Sequence, residues 1–304
     1  MQQIYSYELL DEQNINQYRE KLLKNTYIVY EQYLFILNYI KYIANYTEEA
    51  AKKKAAKYIK SEEDKNFSTK ILSNILVQYL NNDKVFIEQS KKYNIDRYIN
   101  DDLVFDMYNQ FVASSAYKDY VNDASEFNLE QDKKIINYLY EDILLSSEQF
   151  IHAVEENFIN WTDDALLVVD AIKEVIVKSN DHLKLHFGNK KVKEKLEEIA
   201  NFGAELFTKT IEHKAAHLQL IEPKLKNWDT ERLATLDVIL LRMALSEFMY
   251  FPSIPIKVTI NEYLDIAKEY STPKSKNFIN GVLDNLMREM KENQLIKKTG
   301  RGLL

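Results

Sequence analysis

The sequence predicts an all-α protein, on three observations. Glycine and proline are scarce, at five and four residues, which argues against the turn-rich chain of a β protein. Apolar residues recur at three- and four-residue spacing, as they do along the buried face of a helix. Several of these segments open with a residue that is typical of a helix start. A chain of 304 residues can form one or two domains and bury a substantial core.

The chain begins with two predicted helices. Residues 1 to 8 form a short one, and residues 27 to 46 form a long one that is rich in tyrosine. Because the second helix is apolar over much of its circumference, we expect it to be buried between neighbouring elements. Tyrosine rings at helical spacing can also stack on nucleic-acid bases, but packing in a core or an interface is their commoner role.

The next segments show no recognisable chemistry. Residues 48 to 66 are strongly charged and include Lys52, Lys53 and Lys54. A run of lysines can contact phosphate, but a solvated helix face or a linker is the better interpretation of this run. Further amphipathic helices are predicted over residues 67 to 94 and 101 to 121.

A degenerate internal repeat is possible at residues 136 to 175. Trp161 and Asp170 echo Trp228 and Asp237 at a constant offset of 67 residues. A fixed offset is typical of one structural unit that is used twice. The similarity is limited to one helix, a tryptophan turn and part of the next helix. A half-repeat and a chance similarity therefore both stay open.

Two pairs of histidines are separated by four residues: His182 with His186, and His213 with His217. This spacing can place two imidazoles on one helix face, where they could bind a metal ion. No carboxylate motif accompanies the first pair, and a polar helix face explains the second pair equally well. We therefore predict no metal site.

Three helices are predicted between residues 227 and 286. The first follows Asp229, which is a reasonable N-cap. Its apolar stripe consists of Leu233, Leu236, Leu240, Ala244 and Phe248. The second is marked by Thr259 and Glu262, which fit the capping box in which a hydroxyl and a carboxylate each bind a backbone N–H group. Val258 and Tyr263 are placed for a hydrophobic staple across that cap.

The third helix is predicted to open at Thr272, with Pro273 in its first position, where a missing N–H costs nothing. Its buried stripe consists of Phe278, Ile279, Val282, Leu283 and Leu286. Gly281 lies within this helix, where glycine costs about 1 kcal/mol relative to alanine. We therefore expect another backbone to approach Gly281 closely, and Asn280 to hydrogen-bond a neighbouring element.

Four blocks follow one another in this part of the chain: W-x-x-x-R-L-x-x-x-D-x-x-L-L-R-M-A, I-P-x-x-V-x-I-N-E, A-K-E-Y and F-I-N-G-V-L-D. Their order and spacing resemble the NusB family of transcription antitermination factors. The preceding helix, residues 202 to 221, resembles that family as well. The resemblance is specific, but it covers little more than a quarter of the chain.

The resemblance implies an all-α fold of NusB-like helical bundles with extra N-terminal helices. Residues 1–190 are then an N-terminal helical region, and residues 191–304 are the NusB-like domain with a basic tail. Members of this family pair with ribosomal protein S10 (NusE) and hold boxA RNA on nascent ribosomal transcripts, so the RNA polymerase elongation complex is an indirect partner. The expected function is that of a non-catalytic RNA-binding antitermination factor.

The resemblance also suggests site residues. Lys274, Ser275, Lys276 and Asn277 align with a segment that approaches RNA in the family, and a helix start with two lysines and a hydroxyl is a suitable anion site. The alternative is that the lysines are ordinary surface residues. Asp237 occupies a family position near the surface that faces S10. Alternatively, Asp237 is an internally paired acid, with Arg242 or a lysine as its partner.

One departure from the family concerns the first helix. In family members this helix opens with an arginine-rich run and continues into a Gln-x-x-Tyr-like stretch, and here only the second part is recognisable, in Gln2, Ile4 and Tyr5. The family uses that run on RNA. A NusB-like protein-interaction scaffold that has lost RNA binding is therefore the alternative function.

Other function classes lack support in the sequence. There is no cysteine, no glycine-rich phosphate loop and no nucleophile elbow, so we predict neither catalytic residues nor a cofactor. The net charge of −7 is not that of a nonspecific nucleic-acid binder. No signal peptide or membrane-spanning run is apparent, so we expect a cytoplasmic protein with no membrane contact. The basic residues after Leu286 are expected to form an exposed, disordered tail.

Overall fold

The computed structural model describes residues 1–9, 14–59, 61–123, 128–178, 190–225 and 234–303, and leaves the side chains of 63 and 190–196 undescribed. Every regular element in these residues is a helix, which confirms the predicted all-α class. The chain forms two compact units. The discontinuous unit consists of Met1–Asn25 and Glu197–Leu304, and the inserted unit consists of Thr26–Leu196. The sequence analysis instead divides the chain once, at residue 190.

The inserted unit has its own hydrophobic core, which is built around helix α2 (Ile15–Ala55) from residue 26 onward. Its other α-helices are α3 (Glu62–Lys65), α4 (Ile75–Asn82), α5 (Lys84–Lys92), α6 (Asp101–Ala113), α7 (Ser115–Asn122), α8 (Leu129–Tyr138), α9 (Glu148–Asn157) and α10 (Trp161–Lys178). Short 3-10 turns lie at Lys70–Ser73 and Ile95–Tyr98, and a π-helical turn extends α8 over Leu139–Leu144.

The tyrosine-rich segment packs in this core, as predicted. Tyr39 is fully buried, and its ring meets the edge of Phe150 at a centroid distance of 5.0 Å. The lysine run at the end of α2 pairs with acids, because Lys52 and Lys53 bind glutamates four residues earlier and Lys54 lies 3.6 Å from Asp64. Such pairs are typical of a solvated helix end.

Most helices of the inserted unit start at a polar side chain that accepts a hydrogen bond from a backbone N–H group of the first turn. These N-caps are Ser61, Asn74, Asp83, Asn100, Ser114, Asn128 and Ser147. Because each cap satisfies N–H groups of the first turn, these short helices can follow one another with few intervening residues.

The discontinuous unit contains α1 (Gln2–Glu8), residues 15–25 of α2, and the carboxyl-terminal helices. These helices are α11 (Lys190–Glu212), α12 (Lys214–Ile221), α13 (Thr235–Tyr250), α14 (Ile256–Tyr270) and α15 (Ser275–Glu292), with 3-10 turns at Glu222–Leu225 and Gly300–Leu303. Ile4 of α1 is buried in the core of this unit. Short connections make α13, α14 and α15 antiparallel neighbours.

The three predicted C-terminal helices exist, but two of their starts were placed wrongly. Helix α14 begins at Ile256 after Pro255, so Thr259 lies inside the helix and is fully buried rather than forming a capping box. Val258 is half-exposed and makes no staple with the buried Tyr263. Helix α15 begins at Ser275, three residues after the predicted cap. The predicted cap Asp229 and the tryptophan Trp228 lie outside the described residues, whereas Trp161 of the possible repeat is buried at the start of α10.

The buried stripe predicted for α15 is confirmed, because Phe278, Ile279, Val282, Leu283 and Leu286 are all buried. The expected close approach to Gly281 is wrong. A Cβ atom at this position would have no neighbouring atom within 4 Å, and both Gly281 and Asn280 are exposed. The cost of this glycine is therefore not explained by packing within the described chain. In that part of the chain, no helix has the length and apolar character needed to cross a bilayer.

Candidate functional site

Helix α13 is the central element of the discontinuous unit and buries eleven of its sixteen residues. Three of these are charged and lie five residues apart: Asp237, Arg242 and Glu247. A charged side chain is buried in a folded protein only where partners replace its hydration. Each of the three binds a different neighbouring segment, so α13 sets the positions of the helices around it.

Asp237 binds the connection between α14 and α15, and it is only 5% exposed. Its Oδ1 accepts a hydrogen bond from the Ser271 hydroxyl at 2.5 Å, and its Oδ2 accepts one from the Ser275 hydroxyl at 2.7 Å. The Ser275 hydroxyl also accepts a hydrogen bond from the backbone N–H of Thr272 at 3.2 Å. Ser275, the first residue of α15, is therefore held in place by the Asp237 side chain of α13.

The start of α15 presents the opposite side to solvent. Lys274, Lys276 and Asn277 are exposed, whereas Ser275 between them is buried. No acidic residue lies in the first turn, and no side chain caps it. The backbone N–H groups of Lys276 and Asn277 have no acceptor in the part of the chain that the structure describes. Free N–H groups, the positive end of the helix dipole and two ammonium groups together favour an anion here.

The structure thus brings together the residues that the sequence singled out. Lys274, Ser275, Lys276 and Asn277 form the start of α15, and Asp237 lies directly beneath it. Only Lys274, Lys276 and Asn277 have side chains that a ligand could reach, because the hydroxyl of Ser275 is turned inward. The RNA contacts of this segment, and the contact of Asp237 with a partner, stay predictions.

Arg242 was suggested as an ionic partner of Asp237, but the two side chains do not pair. The guanidinium is 1% exposed, and its Nη1 lies 2.5 Å from Oε1 of Glu8 at the end of α1. Its Nη2 donates to the carbonyl oxygen of Thr210 at 2.9 Å, and Lys214 Nζ lies 3.1 Å from the same Glu8 oxygen. The ion pair attaches α1 to α13 across 234 positions of sequence.

Glu247 makes the corresponding connection to α14. It is 6% exposed, and its two carboxylate oxygens accept hydrogen bonds from the Thr259 hydroxyl at 2.6 Å and the Tyr263 hydroxyl at 3.2 Å. Burial raises the pKa of Glu247, and the two hydrogen bonds and the nearby Lys298 ammonium oppose that rise. Thr259, which the sequence analysis interpreted as a cap, is therefore a core hydrogen-bond donor.

The residues after α15 fold back over the end of α13, so the expectation of a disordered tail is wrong for them. Lys298 Nζ donates to the carbonyl oxygens of Glu247 at 3.1 Å and Phe251 at 2.9 Å. The backbone N–H of Thr299 donates to the Pro252 carbonyl at 2.9 Å. Gly302 is buried against the same carbonyl, and a Cβ there would lie 2.0 Å from its oxygen.

The histidine pairs offer no metal site in the described residues, where no group of three potential ligands converges. His213 stacks on Tyr250 at a centroid distance of 4.7 Å. His217 is fully buried, and burial lowers its pKa to about 4. His182 and His186 lie outside the described residues.

Comparison with known proteins decides the family. The NusB family model matches residues 164–288. The Transcription antitermination protein NusB of Koribacter versatilis is 41% identical over 113 residues, which are 37% of this chain and 77% of the relative. The chain belongs to the NusB family. The family match begins within α10 and includes α11 to α14, most of α15 and all five predicted site residues.

Two further NusB relatives are similar over shorter parts of their length. The Transcription antitermination protein NusB of Salinibacter ruber is 39% identical over 34% of this chain and 65% of the relative. That of Chloroherpeton thalassium is 46% identical over 26% of this chain and 37% of the relative. The chain thus spans less than two thirds of these two relatives. No solved structure matches the chain.

Proposed function

We propose that this chain is a non-catalytic RNA-binding transcription antitermination factor. It pairs with ribosomal protein S10 (NusE) on boxA-type RNA of ribosomal RNA transcripts and acts on the RNA polymerase elongation complex through that assembly. Membership of the NusB family supports the antitermination role, because the matched relatives are antitermination proteins by name. The S10 partner and the boxA RNA follow from the resemblance described in the sequence analysis.

The observation that carries the RNA proposal is the exposed start of α15. Lys274 and Lys276 present two ammonium groups beside backbone N–H groups that have no acceptor in the described chain. Phosphate oxygens bind at helix starts of this kind. Because Ser275 is fixed to the buried Asp237, the two lysines extend from a backbone that is already held in place, which lowers the entropy cost of binding.

A partner that brings positive charge fits the overall charge balance. The chain has a net charge of −7, which opposes the approach of a polyanion beyond the local site. An S10 protein bound next to α15 would complete a larger cationic surface. Since Asp237 is buried, its contribution to such an interface is to fix Ser271 and Ser275 beneath it.

The test is RNA binding by a variant with both lysines reversed, Lys274→Glu with Lys276→Glu. We expect the complex with S10 to lose affinity for a labelled boxA-type RNA. Each phosphate contact on a single strand contributes about 0.7 to the slope of log affinity against log salt, so two lost contacts reduce that slope by about 1.4. Fluorescence anisotropy over a series of salt concentrations measures both quantities.

The matched control reverses Lys257 and Lys291, which are also exposed and make no ion pair with a described residue. They lie at the other end of the antiparallel α14–α15 pair, and their reversal changes the net charge by the same amount. We expect a much smaller loss of affinity and an unchanged slope. Equal losses from the two double variants would show that only the net charge matters and would refute the site.

A second function, a protein-interaction scaffold that has lost RNA binding, is favoured by the internal role of α1. The acid of α1, Glu8, pairs with Arg242 inside the protein. If the chain co-purifies with S10 but the complex does not change the gel mobility of boxA-type RNA, the scaffold function is the correct one.

A further inference from the structure

Gly281 has no role in the internal structure of α15. It lies in the second turn, on the exposed side, and no atom of the described residues lies within 4 Å of the position of a Cβ. Its backbone is not in the left-handed region either. A glycine inside a helix lowers the ratio of folded to unfolded protein roughly fivefold relative to alanine. A residue that breaks a local rule without an internal gain is expected at a functional position.

The surface around Gly281 has a consistent chemistry. Lys276, Asn277 and Asn280 are exposed on the same half of the helix, whereas its large apolar side chains in these two turns are buried on the other half. No acidic residue occurs in the first two turns, positions 274 to 283, and Asp284 follows on the same side at the start of the third turn. Protein interfaces are centred on aromatic, aliphatic or arginine anchors, and this surface has none. Ammonium and amide groups instead suit the phosphates, sugars and base edges of an RNA strand.

We propose that a single-stranded RNA crosses the first two turns of α15 and packs directly against the Cα atom of Gly281. Lys274 and Lys276 contact phosphates, and Asn277 and Asn280 hydrogen-bond sugars or base edges. The missing side chain allows the strand to approach the helix backbone closely. This inference rests on the proposed RNA-binding function and extends its site from the helix start by one turn.

The test is a graded series, Gly281→Ala and Gly281→Gln, in the full chain bound to S10. Both substitutions favour the helix, so urea unfolding should show a more stable protein, roughly fivefold in the folding equilibrium for alanine. Affinity for labelled boxA-type RNA should fall as the side chain grows, by about tenfold for glutamine, as expected for overfilling a close contact. We therefore predict that the Gly281 variants have higher stability together with lower affinity for RNA.

Asn285→Ala is the matched control. Asn285 is exposed one turn further along α15, and alanine there also improves helix propensity. It should stabilise the protein and leave RNA affinity unchanged. An equal loss of affinity in this control would assign the effect to a stiffer helix and overturn the inference.

The outcomes separate this inference from the function on which it rests. If Lys274→Glu with Lys276→Glu weakens RNA binding and the Gly281 series does not, the RNA does not reach Gly281, and the proposed function stands. If neither change weakens RNA binding, the proposed function itself is wrong. If the Gly281 series weakens binding of S10 and not of RNA, the occupant of this surface is a protein, and the inference is wrong.

Discussion

The two ends of α13 use the same chemistry beneath different surfaces. Asp237 near the first turn and Glu247 in the last turn are both buried, and hydroxyl groups of the following segment satisfy both. Above Asp237 lies the exposed start of α15 with its two lysines. The end of α13 near Glu247 is instead covered by the residues after α15, since Lys298 binds the last carbonyls of the helix.

The comparison shows that a buried acid does not by itself indicate a ligand site. Both acids are structural, and the difference lies in what the groups they hold present to solvent. At the first end, Ser275 is held and its neighbours Lys274 and Lys276 remain available. At the second end, Thr259 and Tyr263 are held, and both are themselves buried. Only the first end therefore combines internal support with exposed donors.

The largest expected effect comes from Arg242, which lies midway between the two acids. Arg242→Met leaves Glu8 with Lys214 as its remaining ionic partner among the described residues, and it leaves the Thr210 carbonyl without its donor. Loss of one partner of a buried ion pair costs about 3 to 5 kcal/mol. We expect that loss in the free energy of unfolding, measured with urea.

Glu8→Leu combined with Arg242→Met provides the control for that variant. Replacing both partners of a buried pair by apolar residues is much less costly than breaking the pair. The double variant should therefore be more stable than Arg242→Met alone. If the double variant were the less stable of the two, the ion pair would not be what attaches α1 to α13.

The next effect compares the two acids directly. Glu247→Ala leaves the buried Tyr263 hydroxyl without its acceptor and opens a cavity, so we expect a cost of about 3 kcal/mol. Asp237→Ala should cost about 1 to 2 kcal/mol, because the hydroxyls of Ser271 and Ser275, 3.0 Å apart, can bind each other. The order of the two unfolding free energies tests whether the networks differ in this way.

The two alanine variants should show the opposite order in their loss of RNA affinity. Asp237→Ala frees the start of α15 and should weaken binding, whereas Glu247→Ala should leave the affinity of the folded protein unchanged. Anisotropy measurements on the S10 complex, at a temperature where both variants are folded, provide the comparison. If only the Glu247 variant bound RNA more weakly, the ligand would bind near the other end of α13, and the prediction would be wrong.

The smallest effect concerns pH. Burial raises the pKa of Glu247 above its ordinary value of 4.5, so the folded protein holds this proton more tightly than the unfolded chain does. The stabilisation that protonated Glu247 contributes is complete below pH 4.5, its pKa in the unfolded chain. It is lost as the pH rises through the pKa of Glu247 in the folded protein. Glu247→Gln has no such loss. Relative to the natural protein it should therefore become more stable as the pH rises above 4.5, and a constant difference would contradict this.

The sequence was sufficient for the all-α class and for the C-terminal helices, whereas the site residues stay predictions. Spacing alone predicted the buried stripe of α15, but nothing in the sequence predicted that Asp237 would bind Ser275 at the start of that helix. Helix starts were harder, because Thr259 is chemically suited both to a cap and to a buried hydrogen bond with Glu247. Nothing local distinguishes the two roles; the partner helix decides between them.

Contacts between distant residues could not be predicted. No periodicity indicates that Glu8 meets Arg242, and the basic residues after Leu286 look like a solvated tail until the position of the α13 carbonyls is known. For Gly281, the expected neighbouring backbone was wrong. The described residues leave the space beside its Cα atom open, and spacing along the sequence could not reveal this.

The split of the discontinuous unit has a consequence for biosynthesis. Met1–Asn25 leave the ribosome before their packing partners, Glu197–Leu304. At 5 to 20 residues per second, translation of the intervening Thr26–Leu196 takes roughly ten to thirty seconds. During that interval Ile4 and Tyr7 have no core to enter. This early segment must therefore be shielded by a chaperone or must tolerate exposure until residues 197–304 are made.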